Sequence, residues 1–227
     1  MNDKIIVALD SPSLAEATRW IDNLPDAVTF KVGLQAYLKF GLEIIQGIKT
    51  RGKKLFLDLK FKDIPNTVSG AVESSLTHSP RFLTIHLTGG AEMIRQAVNA
   101  GRHDPDLTLL GVTVLTSLSE EDLRETGVMG TPQDTVLKLC DLGLRNGITA
   151  VVCSPLEIEP IRREFGDELT LVTPGIRPAG SAVGDQKRVF TPRMAMEAGS
   201  DYLVIGRPIT QHRHPADAFM KIVQEIS

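Results

Sequence analysis

Eight short runs rich in β-branched residues recur along the chain, at 4–9, 28–33, 54–59, 82–87, 107–115, 150–154, 169–174 and 201–206, and they limit its fold more than any other feature. Between them lie stretches with apolar residues at three- and four-residue spacing, at 14–23, 34–50, 66–78, 91–100, 135–145 and 216–226. Ser13 and Glu16 stand at capping-box spacing, and Pro132 and Pro215 suit a first helical turn. Strands alternating with helices imply a parallel sheet, either open and doubly wound or closed into a barrel. Polar and charged residues follow runs 1, 2, 3, 5, 7 and 8. Closure would bring all of those ends to one face, whereas an open sheet would use only the ends near its switch point. The first run also leads into Asp10-Ser11-Pro12-Ser13 and not into a glycine-rich dinucleotide turn. The expected architecture is therefore α/β, a (β/α)8 TIM barrel forming a single domain over 1–227, without linker, repeat or low-complexity segment.

A chain of 227 residues can bury a large core without disulfides or metals. Its net charge of −3, with no run of like charges, gives no reason to expect nucleic acid or an anionic membrane as partner. One Trp and two Tyr leave few rings for stacking bases. Cys140 and Cys153 lack metal-ligand spacing, which suits a reduced compartment. The apolar run Ile5-Ile6-Val7-Ala8-Leu9 is too short for a signal-peptide core, and no later run could span a bilayer, so a cytoplasmic protein is expected.

The strongest chemical signal is Asp58-Leu59-Lys60-Phe61-Lys62-Asp63-Ile64, at the end of the third run. Period-two alternation points Asp58 and Lys60 the same way, and Phe56-Leu57 ahead of them reads as buried strand. Lys31, at the end of the neighbouring second run, can reach the same pocket. A salt-bridged rim would be the plain explanation of one such pair. Three charged groups converging on the face where barrels place their chemistry point instead to a site. No cluster of His, Cys or carboxylates suggests a metal. His78, His103, His212 and His214 read as solvated, His86 as a hydrogen-bonded strand-end residue and Trp20 as helix packing.

Six motifs in order resemble the orotidine 5'-phosphate decarboxylase family. They are Ala8-Leu9-Asp10, Lys31-Val32-Gly33, the D-x-K-x-x-D-I signature (Asp58, Lys60, Asp63, Ile64), Val114-Leu115-Thr116-Ser117, Pro174-Gly175-Ile176-Arg177-Pro178 and Gly206-Arg207-Pro208-Ile209. The resemblance implies a homodimer that turns orotidine 5'-phosphate into UMP in pyrimidine biosynthesis without cofactor or metal. It makes Lys60 the proton donor, with Asp58, Lys31 and Asp63 as the other catalytic charges. Asp63 and Thr67, beside Ile64, would reach the neighbouring chain's site. The ribose hydroxyls would meet Asp10 and Lys31, and the pyrimidine edge Thr116 and Ser117.

Barrels often hold phosphate between the loops after strands 7 and 8, which here end in Gly175-Ile176-Arg177 and Gly206-Arg207. The polar stretch 177–188, with glycines at 180 and 184, reads as a lid, from which Gln186 resembles the family residue bridging phosphate and pyrimidine. On their own, Asp10 could be a turn residue, Thr116-Ser117 a cap, and Asp63 the N-cap of the next helix. Two rival functions remain. A related Mg2+-dependent sugar-phosphate decarboxylase or synthase barrel would need an acidic ligand where Lys31 stands, and an ammonium cannot ligate Mg2+. A non-catalytic nucleotide-phosphate binding barrel would have no need of Asp58 and Lys60 together.

Overall fold

The computed structural model describes residues 1–178 and 190–227. Its eight strands are β1 (Ile5–Ala8), β2 (Thr29–Gly33), β3 (Lys54–Phe61), β4 (Phe82–His86), β5 (Thr108–Val112), β6 (Ala150–Val152), β7 (Thr170–Thr173) and β8 (Tyr202–Ile205). They pair in parallel, each with the next in sequence, and β8 closes on β1, so the sheet is a closed barrel. Gln186 and nearly all of the anticipated lid lie outside the described residues.

The strands are apolar on both faces, as helix-covered parallel strands must be. Alternation sorts them into two cores. Ile5, Val7 and Leu9 join the large cluster that includes the helices' apolar residues. Ile6 and Ala8 join a second cluster with Phe56, Phe82, Leu110, Ala150, Val172 and Val204, which fills the barrel interior. There the Phe82 ring packs edge-on against Phe56 and Tyr202, at centroid distances of 5.7 and 5.2 Å. Burying such a ring stabilises the fold by roughly 1.5–3 kcal/mol, so the floor beneath the strand ends is firm.

Eleven α-helices are described: α1 (Leu14–Asp22), α2 (Leu34–Phe40), α3 (Leu42–Lys49), α4 (Pro65–Leu76), α5 (Ala91–Gly101), α6 (Glu120–Glu125), α7 (Pro132–Arg145), α8 (Ile158–Phe165), α9 (Pro192–Glu197), α10 (Arg207–Thr210) and α11 (Pro215–Glu225). Ser13 caps α1 by accepting from the Glu16 N–H, and Pro132 and Pro215 open α7 and α11. The stretch 34–50 is two helices and not one. Gly41, at φ 56° and ψ −132°, takes a positive-φ conformation open to glycine, which ends α2 before α3 begins. The fifth strand ends at Val112, three residues before the expected boundary. Helices α6, α8, α9 and α10 are short, and their brief periodicity did not single them out.

Both thiols are buried, and burial together with nearby Glu157 pushes Cys140 up to about 12 and Cys153 up as well. They belong to the core and not to a reactive site. No described helix is long and apolar enough to cross a membrane.

Candidate active site

A cavity of about 330 Å³ opens where the marked strand ends converge. Its floor is apolar, built from Ala8, Phe56, Val112, Val152 and Val204. Its polar wall combines Asp10 after β1, Lys31 on β2, Asp58 and Lys60 on β3, Thr116 after β5, Arg177 after β7, and Gly206 with Arg207 after β8. Eight of the expected residues thus line one pocket. Asp63, Ile64, Thr67 and Ser117 are exposed and do not line it. Asp63 turns its Oδ1 to its own backbone and accepts from the Ile64 N–H at 2.6 Å. It is not the N-cap of α4, since Ile64 holds that position. Gln186 lies outside the described residues.

Asp58 is the hub of the polar wall. Lys31 Nζ lies 3.1 Å from its Oδ2 and Lys60 Nζ 2.7 Å from its Oδ1. Only 11% of the Asp58 side chain is exposed. Burial by itself would raise its carboxyl, but the Lys31 and Lys60 charges outweigh that and hold it below the usual carboxylate range. At an effective dielectric of 20, an opposite charge at ~4 Å contributes about 4 kcal/mol of attraction, so two such partners offset the cost of burying the Asp58 carboxylate. Without Asp58, two ammonium groups would face each other.

Two backbone features shape this array. Gly33 pairs with Asp58 across β2 and β3, and a Cβ on it would lie 3.1 Å from Lys31 Nζ, so the glycine leaves room for that ammonium. The β3–β4 register also shifts between Leu57 and Phe61, which pair with Leu83 and Ile85. Three residues of β3, Asp58 to Lys60, therefore face the single residue Thr84 of β4. The slack is taken up at Lys60, whose φ of 52° lies in the left-handed region. For a lysine this costs about 1–3 kcal/mol, a strain that persists only where surroundings hold it. Simple alternation therefore predicted the correct side for Lys60, but a bulge is what delivers it.

Thr84, fully buried on β4, was not anticipated. Its Oγ1 accepts from the Lys60 N–H at 2.9 Å and donates to Asp58 Oδ1 at 3.1 Å. His86, two residues on, is held below its ordinary value, first by burial and then by Lys62 and Lys60. Among the described residues, no group of three or more His, Cys, Asp or Glu is placed to hold a metal ion.

Comparison with known proteins agrees with the geometry. Residues 3–222 match the model of the Orotidine 5'-phosphate decarboxylase / HUMPS family. The orotidine 5'-phosphate decarboxylase of Thermobifida fusca is 46% identical over 224 residues, covering 98% of this chain and 95% of that protein. The enzyme of the same name from Actinobacillus succinogenes is 44% identical over 227 residues, covering 98% and 97%. The crystal structure of orotidine 5'-phosphate decarboxylase from Lactobacillus acidophilus superposes with a TM-score of 0.87, at 35% identity and 99% coverage of both chains. A closed parallel barrel, a charged array at the end of β3 and a match spanning nearly the whole chain lead to one conclusion: this protein belongs to the Orotidine 5'-phosphate decarboxylase / HUMPS family.

Proposed function

We propose that the chain decarboxylates orotidine 5'-phosphate to UMP in pyrimidine biosynthesis, with Lys60 as proton donor and no cofactor. The observation that carries this reading is the Lys31–Asp58–Lys60 array in the polar wall, beside the apolar floor of the pocket. Breaking the bond between C6 and its carboxylate leaves an electron pair in the plane of the pyrimidine. That pair is orthogonal to the ring's π system, so it cannot spread into it and has to be met by fixed charge. The Lys60 ammonium meets it, CO2 departs, and the Lys60 proton forms the new C6–H bond. Lys60 then recovers a proton from solvent. Asp58 holds both lysines in place. Lys31, ion-paired to Asp58, argues against the sugar-phosphate rival, which needs a metal ligand at that position.

The remaining wall residues divide the substrate. Asp10 and Lys31 take the ribose hydroxyls, Thr116 and Ser117 the pyrimidine edge, and Arg177, Gly206 and Arg207 the phosphate, with Gln186 joining phosphate to pyrimidine. A Cβ at Gly206 would lie 3.3 Å from Ala8 Cβ, a tight contact that glycine avoids where the chain passes β1 before Arg207. Arg207→Ala should weaken UMP binding by about 10- to 100-fold, the worth of a charged hydrogen bond. Uridine binding should change by less than about threefold if that loss is a phosphate contact. Titration calorimetry with both ligands measures the difference, and equal losses would remove Arg207 from the phosphate site.

Two copies of the chain complete the site in this reading. Asp63, Ile64 and Thr67 stand clear of their own pocket and enter the neighbour's. The exposed side chains of Leu34, Leu38 and Ile64 support such a contact, because α2 and the turn before α4 follow adjacent strands.

The function is tested by mixing purified, EDTA-dialysed protein with orotidine 5'-phosphate and following pyrimidine absorbance, with UMP identified at the end. Turnover should be the same before and after chelation. No UMP would overturn the reading, and activity that needs added Mg2+ would favour the sugar-phosphate rival's chemistry.

A further inference from the structure

We propose that Thr84 is a positioning residue that sets Lys60 and Asp58 for the reaction, acting through its hydroxyl. The inference rests on the function proposed above for its kinetic consequence, though not for its geometry. Between Leu57 and Phe61, β3 has three residues where β4 has one, so regular strand pairing lapses where the reactive lysine sits. Thr84 is that one residue, with no exposed surface. Its single oxygen does two things at once. It accepts the Lys60 N–H, which the shifted register leaves without a strand partner on β4, and it donates its proton to Asp58 Oδ1. That Oδ1 is the same atom that receives Lys60 Nζ. One hydroxyl therefore fixes both ends of Lys60: the left-handed backbone directly, and the ammonium through the carboxylate.

The residue type suits the task. A β-branched side chain on a strand has a stiff χ1, so the oxygen is held where both partners need it. Donation into a carboxylate is charge-assisted and stronger than a neutral hydrogen bond. Asp58 Oδ2 is occupied by Lys31, so rotation of the carboxylate would break one lysine contact in making another.

Thr84→Val keeps the shape and removes the hydroxyl; Thr84→Ser keeps the hydroxyl and removes a methyl. The valine variant should lose about 10- to 100-fold in kcat, as supporting partners of reactive groups do, with KM and UMP affinity within about twofold of wild type. The serine variant should recover most of kcat. Crystal structures should show Lys60 of the valine variant leaving the left-handed region or its Nζ moving by about 1 Å, a displacement able to cause such a loss. Thr84→Ala replaces the valine variant if that protein does not fold. A folded variant without the hydroxyl that keeps wild-type kcat with Lys60 unmoved overturns the proposal. So does a serine variant as impaired as the valine one, because the methyl would then be what matters. Wild-type protein inert toward orotidine 5'-phosphate would overturn the functional reading instead, and the crystal structures would still decide the role of Thr84.

Discussion

Lys60→Ala should lower kcat by at least about 10⁴-fold, the combined effect of removing a proton donor and a charge that stabilises the transition state. UMP should still bind within a few-fold of its wild-type affinity, since the lysine contributes most as the carbanion forms and little to holding the product. Loss of the ammonium also removes one of the two cations that keep Asp58 below the usual carboxylate range, but Lys31 remains at 3.1 Å. The fold should therefore survive. Lys60→Arg separates the two contributions. It keeps a positive charge near Asp58, but guanidinium does not release its proton at neutral pH, so turnover should stay far below wild type. Steady-state kinetics beside calorimetric UMP binding gives the answer. A kcat loss under about 10²-fold in the alanine variant would leave Lys60 as part of a rim ion pair and no more.

The second large effect comes from mixing two defective proteins. Asp63 belongs, in our proposal, to the neighbour's pocket, whereas Lys60 lines its own. A heterodimer of Lys60→Ala and Asp63→Ala chains would then carry one doubly defective site and one with every residue intact. Random exchange makes roughly half of all dimers mixed, so about a quarter of all sites should regain activity. Each variant alone should be nearly inactive, and activity after mild dissociation and reassociation should rise well above their average. If Asp63 instead serves its own chain, every site keeps one defect. A mixture whose exchange is verified by mass spectrometry, and which shows no gain, would place Asp63 and Thr67 outside the shared site.

The barrel was legible because both of its determinants are local and repeated. Runs apolar on both faces say helix-covered parallel strand, and charges placed directly after them say strand end. Asp58, Lys60 and Lys31 were legible for the same reason, because a charge that interrupts an apolar run is visible in one chain. The helical break at Gly41 was hidden by apolar spacing that continues through it. The bulge at Lys60 was hidden more deeply. Nothing about Leu59-Lys60-Phe61 announces a left-handed residue, because the register shift depends on how β3 meets β4. Thr84 was missed by the same logic: along its own strand it is an ordinary β-branched residue, and its role exists only opposite Lys60. For Asp63, the neighbour's pocket came from the family resemblance alone, because such an assignment depends on a surface between two chains.

The central claim is that the pocket holds preorganised positive charge against an electron pair at C6, and reversing the last step tests it without any CO2 loss. An enzyme that stabilises the C6 carbanion must also speed exchange of the product's C6 proton with solvent. The ligand of choice is 5-fluoro-UMP, whose fluorine withdraws electron density and makes that proton more acidic. With the protein saturated in D2O, loss of the C6 proton signal is followed by NMR. Wild type should accelerate exchange well above buffer alone, and Lys60→Ala should not. Wild-type exchange no faster than buffer, or equal exchange by the lysine variant, would contradict the account.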